Sequence, residues 1–385
     1  MIAALFGVGV LTGEGSDKGS DPPADKGSDP PAESHEGSDP DIERVAHRLE
    51  QIRKLEFEQI PPVRTITAEE AREEGLAVLD EEYPEERRAA DEEVLTLLGL
   101  IPAGSDVREL AGTILAEEVA GFYDNRKKAM TLVAGASGGT EGEITLAHEL
   151  THALEDQHFE IAPSTGLDDA RTARTALIEG TATVAMADYA VRFLSGGAAR
   201  RGDFLDQLAL VDLLESASGL PPYVQRSLLF PYSAGARFVD AIGTWGPANR
   251  ALRGAGPVST EQVLHPQKYR AGERPLPVPR AAPPGPGWKR AAHGTIGEFD
   301  TGELVRTSDS PLRATRAAEG WGGGRYDLWQ RDDRSVLALA WRWDTRRDAA
   351  EFAAALPRYV EHTLGDVPVK LDVGPTVRLT IGPAE

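Results

Sequence analysis

From Asp41 onward the apolar positions fall into helical spacing. In "DIERVAHRLEQIRKLEF" the residues Ile42, Val45, Leu49, Ile52 and Leu55 recur three and four apart, one apolar stripe on a helix whose other side is charged. The next stretch, "TAEEAREEGLAVLDEEY", opens on Thr67 with Glu70 three residues later, a capping-box pattern. The carboxylates between Glu69 and Glu93 therefore read as helix caps and solvated faces rather than metal ligands, since no histidine joins them. "GFYDNRKKAMTLV", Gly121 to Val133, has two short runs around a polar turn and predicts a β-hairpin. A glycine-rich loop follows, and a helix is expected from about Glu141. "ARTARTALIEGTATVAMADYAVRFL" (Ala170–Leu194), "FLDQLALVDLLESA" and "SLLFPYSAGARFVDAIGTWG" read as further helices. After the proline-rich Arg274–Trp288 the period changes again, with two strands around "RDDRS", a helix in "RDAAEFAAALPRYVEHTL" and one or two strands in "VPVKLDVGPTVRLTIG". The "GWGGGR" run lacks the Gly-Lys-Ser/Thr ending of a phosphate loop, so its glycines are expected to serve backbone angles in a loop.

Composition narrows the chemistry. The 385 residues carry 62 acidic and 41 basic side chains, a formal charge of −21, with no basic stripe suited to a phosphate backbone, so nucleic acid is not an expected partner. There is no cysteine, which excludes disulfides, thiolate nucleophiles and thiolate metal ligands. Any metal must be held by His, Asp or Glu. At the start, the apolar Met1–Leu11 has the length of a signal-peptide core but no preceding Lys or Arg, and "KGSDPPAD" then recurs as "KGSDPPAE". That repeat has almost no side chains to bury, so a disordered tether is expected, with export to the cell envelope or beyond and N-terminal membrane association.

The chemistry centres on "ITLAHELTHALEDQHFE", Ile144 to Glu160. At about 100° per residue, His152 lies about 40° round from His148 and one turn along, so both imidazoles can face one ion, with Glu149 beside them as a base that activates water. Leu146, Leu150, Ala153 and Leu154 form the opposite, apolar back of the same helix, leaving the other side polar and reactive. Two residues compete for third ligand. His158 has the ten-residue spacing that works when the helix breaks after the second histidine, but Glu155 stands where a glycine would break it. On an unbroken helix His158 points about 280° from His148 and cannot reach the ion. Glu179 sits among Ala176, Gly180, Thr181, Ala182 and Thr183, small residues that let a second helix approach closely enough for a short carboxylate to reach; it is the preferred ligand. Gly180 itself lowers helix propensity, which suggests a packing reason for it.

"HELTHALEDQHF" followed by "ALIEGTA" resembles bacterial, secreted or envelope-associated zinc metallopeptidases of the gluzincin type. "GFYDNRKKAMTLV", "FPYSAGARFV", "PVSTEQVLHPQKY" and "AAEGWGGGRYDLWQ" are similar to segments of such proteins, so the resemblance runs through most of the chain from about residue 41. The family often has an acidic residue where Gly324 stands here. The resemblance implies zinc held by His148, His152 and Glu179, with Glu149 as base. The elements and composition along the chain predict an α+β fold with a signal or anchor remnant over 1–12, the linker 13–41, a mainly helical zincin-like domain with a small hairpin sheet over 42–273, the linker 274–288 and a C-terminal α+β module over 289–385. The implied activity is zinc-dependent hydrolysis of a peptide or protein substrate. The alternative is a catalytically silent, metal-binding envelope protein used in partner or peptide recognition.

Further residues are candidates around that centre. Tyr232 in "PYSAGARF" and His265 in "LHPQKY" could donate to a developing oxyanion, although each could equally satisfy local backbone. Asp156, four residues after His152, could fix the tautomer of a ligand imidazole or be a solvated charge. Tyr123 on the hairpin could help bind an extended substrate by strand addition, or belong to the core.

Overall fold

The computed structural model describes residues 41–117, 121–134, 139–159, 161, 168–195, 200–205 and 219–383. Met1–Leu11, the repeat that follows it and most of "FLDQLALVDLLESA" lie outside them. Within the described residues the fold is α+β, predominantly helical.

The first helix, α1 (Ile42–Arg53), starts on Asp41, whose side chain accepts from the Arg44 N–H. It buries the expected stripe, Val45, Leu49 and Ile52. A short strand, β1 (Val63–Ile66), precedes α2 (Ala68–Glu82), where Thr67 and Glu70 form the full capping box. Helices α3 (Glu85–Leu97) and α4 (Val107–Glu117) complete a helical layer. The hairpin forms from β2 (Gly121–Asp124) and β3 (Ala129–Val133), and β1 joins it in parallel, giving the order β1-β3-β2 with β2 at an edge. Strand β1 had no distinct signal, being four residues of mixed burial beside a proline pair.

Helix α5 (Gly139–Phe159) carries the two histidines, and α6 (Asp169–Tyr189) carries Glu179. Leu146 and Leu150 pack with Val45, Leu49, Ile52, Met130 and Leu132 in a core between α1, α5 and β3. The expected polar, reactive side of α5 is not open: every residue from Thr145 to Asp156 is buried, because α6 and β2 cover the face turned away from that core. Helix α7 (Pro222–Ile242) crosses α6 with backbones in contact. A Cβ built on Gly180 would lie 2.3 Å from the Gly235 carbonyl carbon, and one on Gly235 2.9 Å from the Ala176 carbonyl carbon. Side chains at either position would force the helices apart, which is the packing reason for Gly180.

Short helices α8 (Trp245–Arg250), α9 (Thr260–Leu264) and α10 (Pro266–Ala271) lead to the C-terminal sheet, ordered β4-β5-β6-β8-β7 and antiparallel throughout. Its strands are β4 (Lys289–Gly294), β5 (Trp321–Arg331), β6 (Arg334–Trp343), β7 (Val369–Asp372) and β8 (Thr376–Ile381). Helices α11 (Glu298–Arg306), α12 (Pro311–Ala318) and α13 (Arg346–Tyr359) pack with it. The stretch 274–288 is pinned along the sheet: the Leu276 N–H donates to the Gly322 carbonyl, Arg342 donates to the Pro277 carbonyl, and the Ala281 N–H donates to Asp327. This pinning also explains the glycine run, which is strand rather than loop. Cβ atoms on Gly323 and Gly324 would meet the Leu276 and Ile296 carbonyl oxygens at 2.5 Å and 2.2 Å. Close backbone approach, and not a special φ, excludes side chains there. One core cluster runs from α2–α4 through α7 into this sheet, and the Tyr359 hydroxyl donates to the Leu98 carbonyl across it.

Candidate metal centre

Three side chains from α5 and α6 converge. His148 and His152 follow one another by one turn of an unbroken α5, and Glu179 projects from α6 at the level where Gly180 and Gly235 bring the helices together. Glu179 Oε2 lies 3.2 Å from His148 Nε2 and 3.3 Å from His152 Nε2, and the two nitrogens are 3.1 Å apart. The rings meet edge-on at 84°. Protons cannot serve all three edges of this triangle, since each Nε2 offers either one N–H or one lone pair. A single cation in the middle can. Zinc bonds of about 2.0–2.1 Å in a tetrahedral arrangement place neighbouring donors about 3.3 Å apart, which is the spacing found, so the residues present fit such an ion.

The electrostatics point the same way. Burial would push the Glu179 carboxyl up, but His152 and His148 beside it outweigh that and hold it at about 2. Burial would push His152 down, and Glu179 instead draws it up to about 9. Burial pushes His148 below the usual range. The pocket thus favours positive charge next to the Glu179 carboxylate. Among the described residues His148 Nδ1 is buried without a hydrogen-bond partner.

Glu149 is fully buried beside the triangle and accepts the Tyr123 backbone N–H at 3.0 Å from β2. Tyr232, on α7, places its ring 5.8 Å from that of His148. Residues 286–383, the C-terminal sheet and its helices, match the family described as Domain of unknown function (DUF8575). No curated protein and no solved structure matches the chain. No helix among the described residues is long and apolar enough to cross a membrane.

His158, the disfavoured third ligand, lies outside the triangle as an unbroken helix requires: α5 continues through Glu155, and the His158 imidazole bonds the Glu56 carbonyl at 2.9 Å. His265 Nε2 bonds Glu298 of α11 at 2.8 Å. That contact raises its pKa, against burial. Asp156 does not orient a ligand imidazole; its Oδ2 accepts from the Tyr123 hydroxyl at 2.9 Å and the Lys128 ammonium at 2.6 Å, tying the hairpin to α5.

One buried pair had no sequence signal. Arg53 at the end of α1 and Glu155 are both fully buried and 2.6 Å apart, one turn past His152. Glu155 also accepts from the Thr181 hydroxyl of α6, Arg53 donates to Asn249, and its guanidinium lies 4.1 Å from the Trp245 ring centroid. The pair joins α1, α5, α6 and α8 beneath the triangle. A charge in "LEDQ" reads as solvated, and only a partner about 100 positions away makes it otherwise.

Proposed function

We propose that the protein is a zinc-dependent peptidase whose centre is His148, His152 and Glu179, with Glu149 as general base. The observation that carries this is the donor triangle, two imidazole nitrogens and a carboxylate oxygen 3.1–3.3 Å apart in a cysteine-free chain. Three protein ligands rather than four among the described residues also favour a catalytic over a structural ion. A bound zinc ion would supply Lewis acidity, polarising a carbonyl and acidifying water. Glu149, one residue from a ligand and buried, would take a proton from water and return it to a departing amine. Tyr232, with its ring 5.8 Å from that of His148, is the candidate donor to an oxyanion. Tyr123 belongs to an edge strand, as strand addition by a peptide substrate requires.

The experiment is elemental analysis of purified wild type, Glu179→Ala and His158→Ala, with protein hydrolysis measured for wild type and Glu149→Gln. We expect about one zinc per chain in wild type and in His158→Ala, none in Glu179→Ala, and hydrolysis abolished in Glu149→Gln with its zinc retained. Zinc lost in His158→Ala instead would assign the third ligand differently. Hydrolysis unaffected in Glu149→Gln would remove the peptidase reading while leaving the metal.

A further inference from the structure

His148, Glu149, His152 and Glu179 are exposed by 1, 0, 6 and 2%. A peptide carbonyl cannot reach a centre so enclosed, so something around it must move. Of the described elements, α5 supplies the ligands, and α6 and α7 are locked backbone to backbone at Gly180 and Gly235. Strand β2 lies beside the centre, its Tyr123 N–H bonded to the buried Glu149.

Strand β3 is anchored, its Met130 and Leu132 packed with Leu146 and Leu150 of α5 and its backbone paired with β1. The outer strand β2 and the turn after it are held to α5 by hydrogen bonds from one residue gripped twice and from one neighbour. Tyr123 gives its backbone N–H to Glu149 and its hydroxyl to Asp156, two points about 10 Å apart along the helix. Lys128 reaches the same Asp156 oxygen at 2.6 Å. Asp156 is 4% exposed and Lys128 60%, so the ammonium comes down from solvent onto a buried carboxylate. Behind the hairpin is open space. A cavity of about 370 Å³ lies between it and α2, lined by Gly75, Val78, Phe122, Tyr123 and Asn125 among others, and by no residue of α5. Across that cavity the hairpin's other cations already lean the opposite way, Arg126 to Glu81 at 2.9 Å and Lys127 to Glu74 at 3.8 Å. Consecutive cations therefore pull the turn toward α2 and toward α5.

We propose that β2 and the turn that follows it form a gate over the metal centre, moving against an anchored β3, and that Lys128, Asp156 and Tyr123 are its latch. Release of the latch swings β2 into the cavity, takes the Tyr123 N–H off Glu149 and opens both the base and the outer edge of β2 to an extended peptide. The proposal rests on the metal-centre reading above. The ammonium end of the latch is solvent-exposed, so added salt screens it and favours opening.

Gate and binding site separate in kinetics. A gate alters entry and exit equally and leaves affinity alone, whereas a residue that shapes the site alters affinity. The test uses the full chain as wild type, Lys128→Met, Lys128→Arg and Tyr123→Phe. Zinc release to excess chromophoric chelator, zinc uptake by the stripped protein and the dissociation constant are measured for each, with circular dichroism as the check on folding. Removing one charge-assisted hydrogen bond is expected to speed both release and uptake about tenfold or more in Lys128→Met and Tyr123→Phe, with Kd unchanged within about twofold. Lys128→Arg should restore slow exchange, and salt should accelerate wild type but not Lys128→Met. Equal rates in all four proteins would overturn the gate while leaving the metal centre standing. So would faster release with a proportionally weaker Kd, which would make these residues part of the site's shape. A wild type that binds no zinc would overturn the metal-centre reading and the gate with it.

Discussion

Gly180→Ala separates local helix propensity from tertiary packing, because the two predict opposite signs. In an isolated helix the change would stabilise by about 1 kcal/mol. In this protein the new methyl group would lie 2.3 Å from the Gly235 carbonyl carbon and 2.9 Å from the Ala236 nitrogen, on backbone that cannot rotate aside. Relief to an ordinary contact of about 3.5 Å requires α6 and α7 to part by roughly 1 Å. Overpacking of this kind costs about 1–3 kcal/mol, and contact with main chain places the change at the upper end, so the net loss should be about 2 kcal/mol. For a protein of 385 residues that corresponds to a fall in Tm of about 2–3 °C, read by differential scanning calorimetry on the metal-free protein. The consequence for the site is larger. Glu179 is the adjacent residue, its oxygen lies 3.2–3.3 Å from both imidazoles, and ligand distances tolerate only about 0.2 Å. Zinc affinity measured by chelator competition should therefore fall at least tenfold. A variant with raised Tm and intact affinity would refute the claim that backbone contact between α6 and α7 positions the third ligand.

Two further changes probe the support beneath and beside the site. Arg53→Met strands Glu155 as an unpaired buried carboxylate and should lose about 3–5 kcal/mol by urea denaturation, while Arg53→Met combined with Glu155→Leu should recover most of it; equal losses in single and double variants would show that the ion pair is not what matters. Burial lifts the Asp169 carboxyl from 3.8 to about 7, partly opposed by its bonds from Thr260. The folded state then holds that proton more tightly than the unfolded chain, so its contribution is intact below about pH 4 and is lost as pH rises to about 7, by at most about 4 kcal/mol. Asp169→Asn should flatten the decline in urea midpoint between pH 4 and pH 8, and an unchanged slope would sink the assignment.

What could be read in the amino-acid order alone was local. Helical spacing placed α1, α5, α6 and α7, the Thr67–Glu70 box placed the start of α2, and the turn around Asn125 placed the hairpin, because each depends on residues a few positions apart. The same reasoning put His148, His152 and Glu149 together on one helix, and small residues around Glu179 signalled a close crossing before its partner helix was known. Tertiary structure decided everything that needed a distant partner. Whether Glu155 and Asp156 are solvated or buried turns on Arg53, Tyr123 and Lys128, none of them on the same helix. His265 meets a Glu298 that lies 33 positions further on, and the glycines of β5 are explained only by the carbonyls of Leu276 and Ile296 lying against them. A carboxylate or an imidazole has the same short-range pattern whether it faces water, a cation or another chain segment. Periodicity reports which face of an element turns inward, while burial, pairing and charge are set by what that face meets.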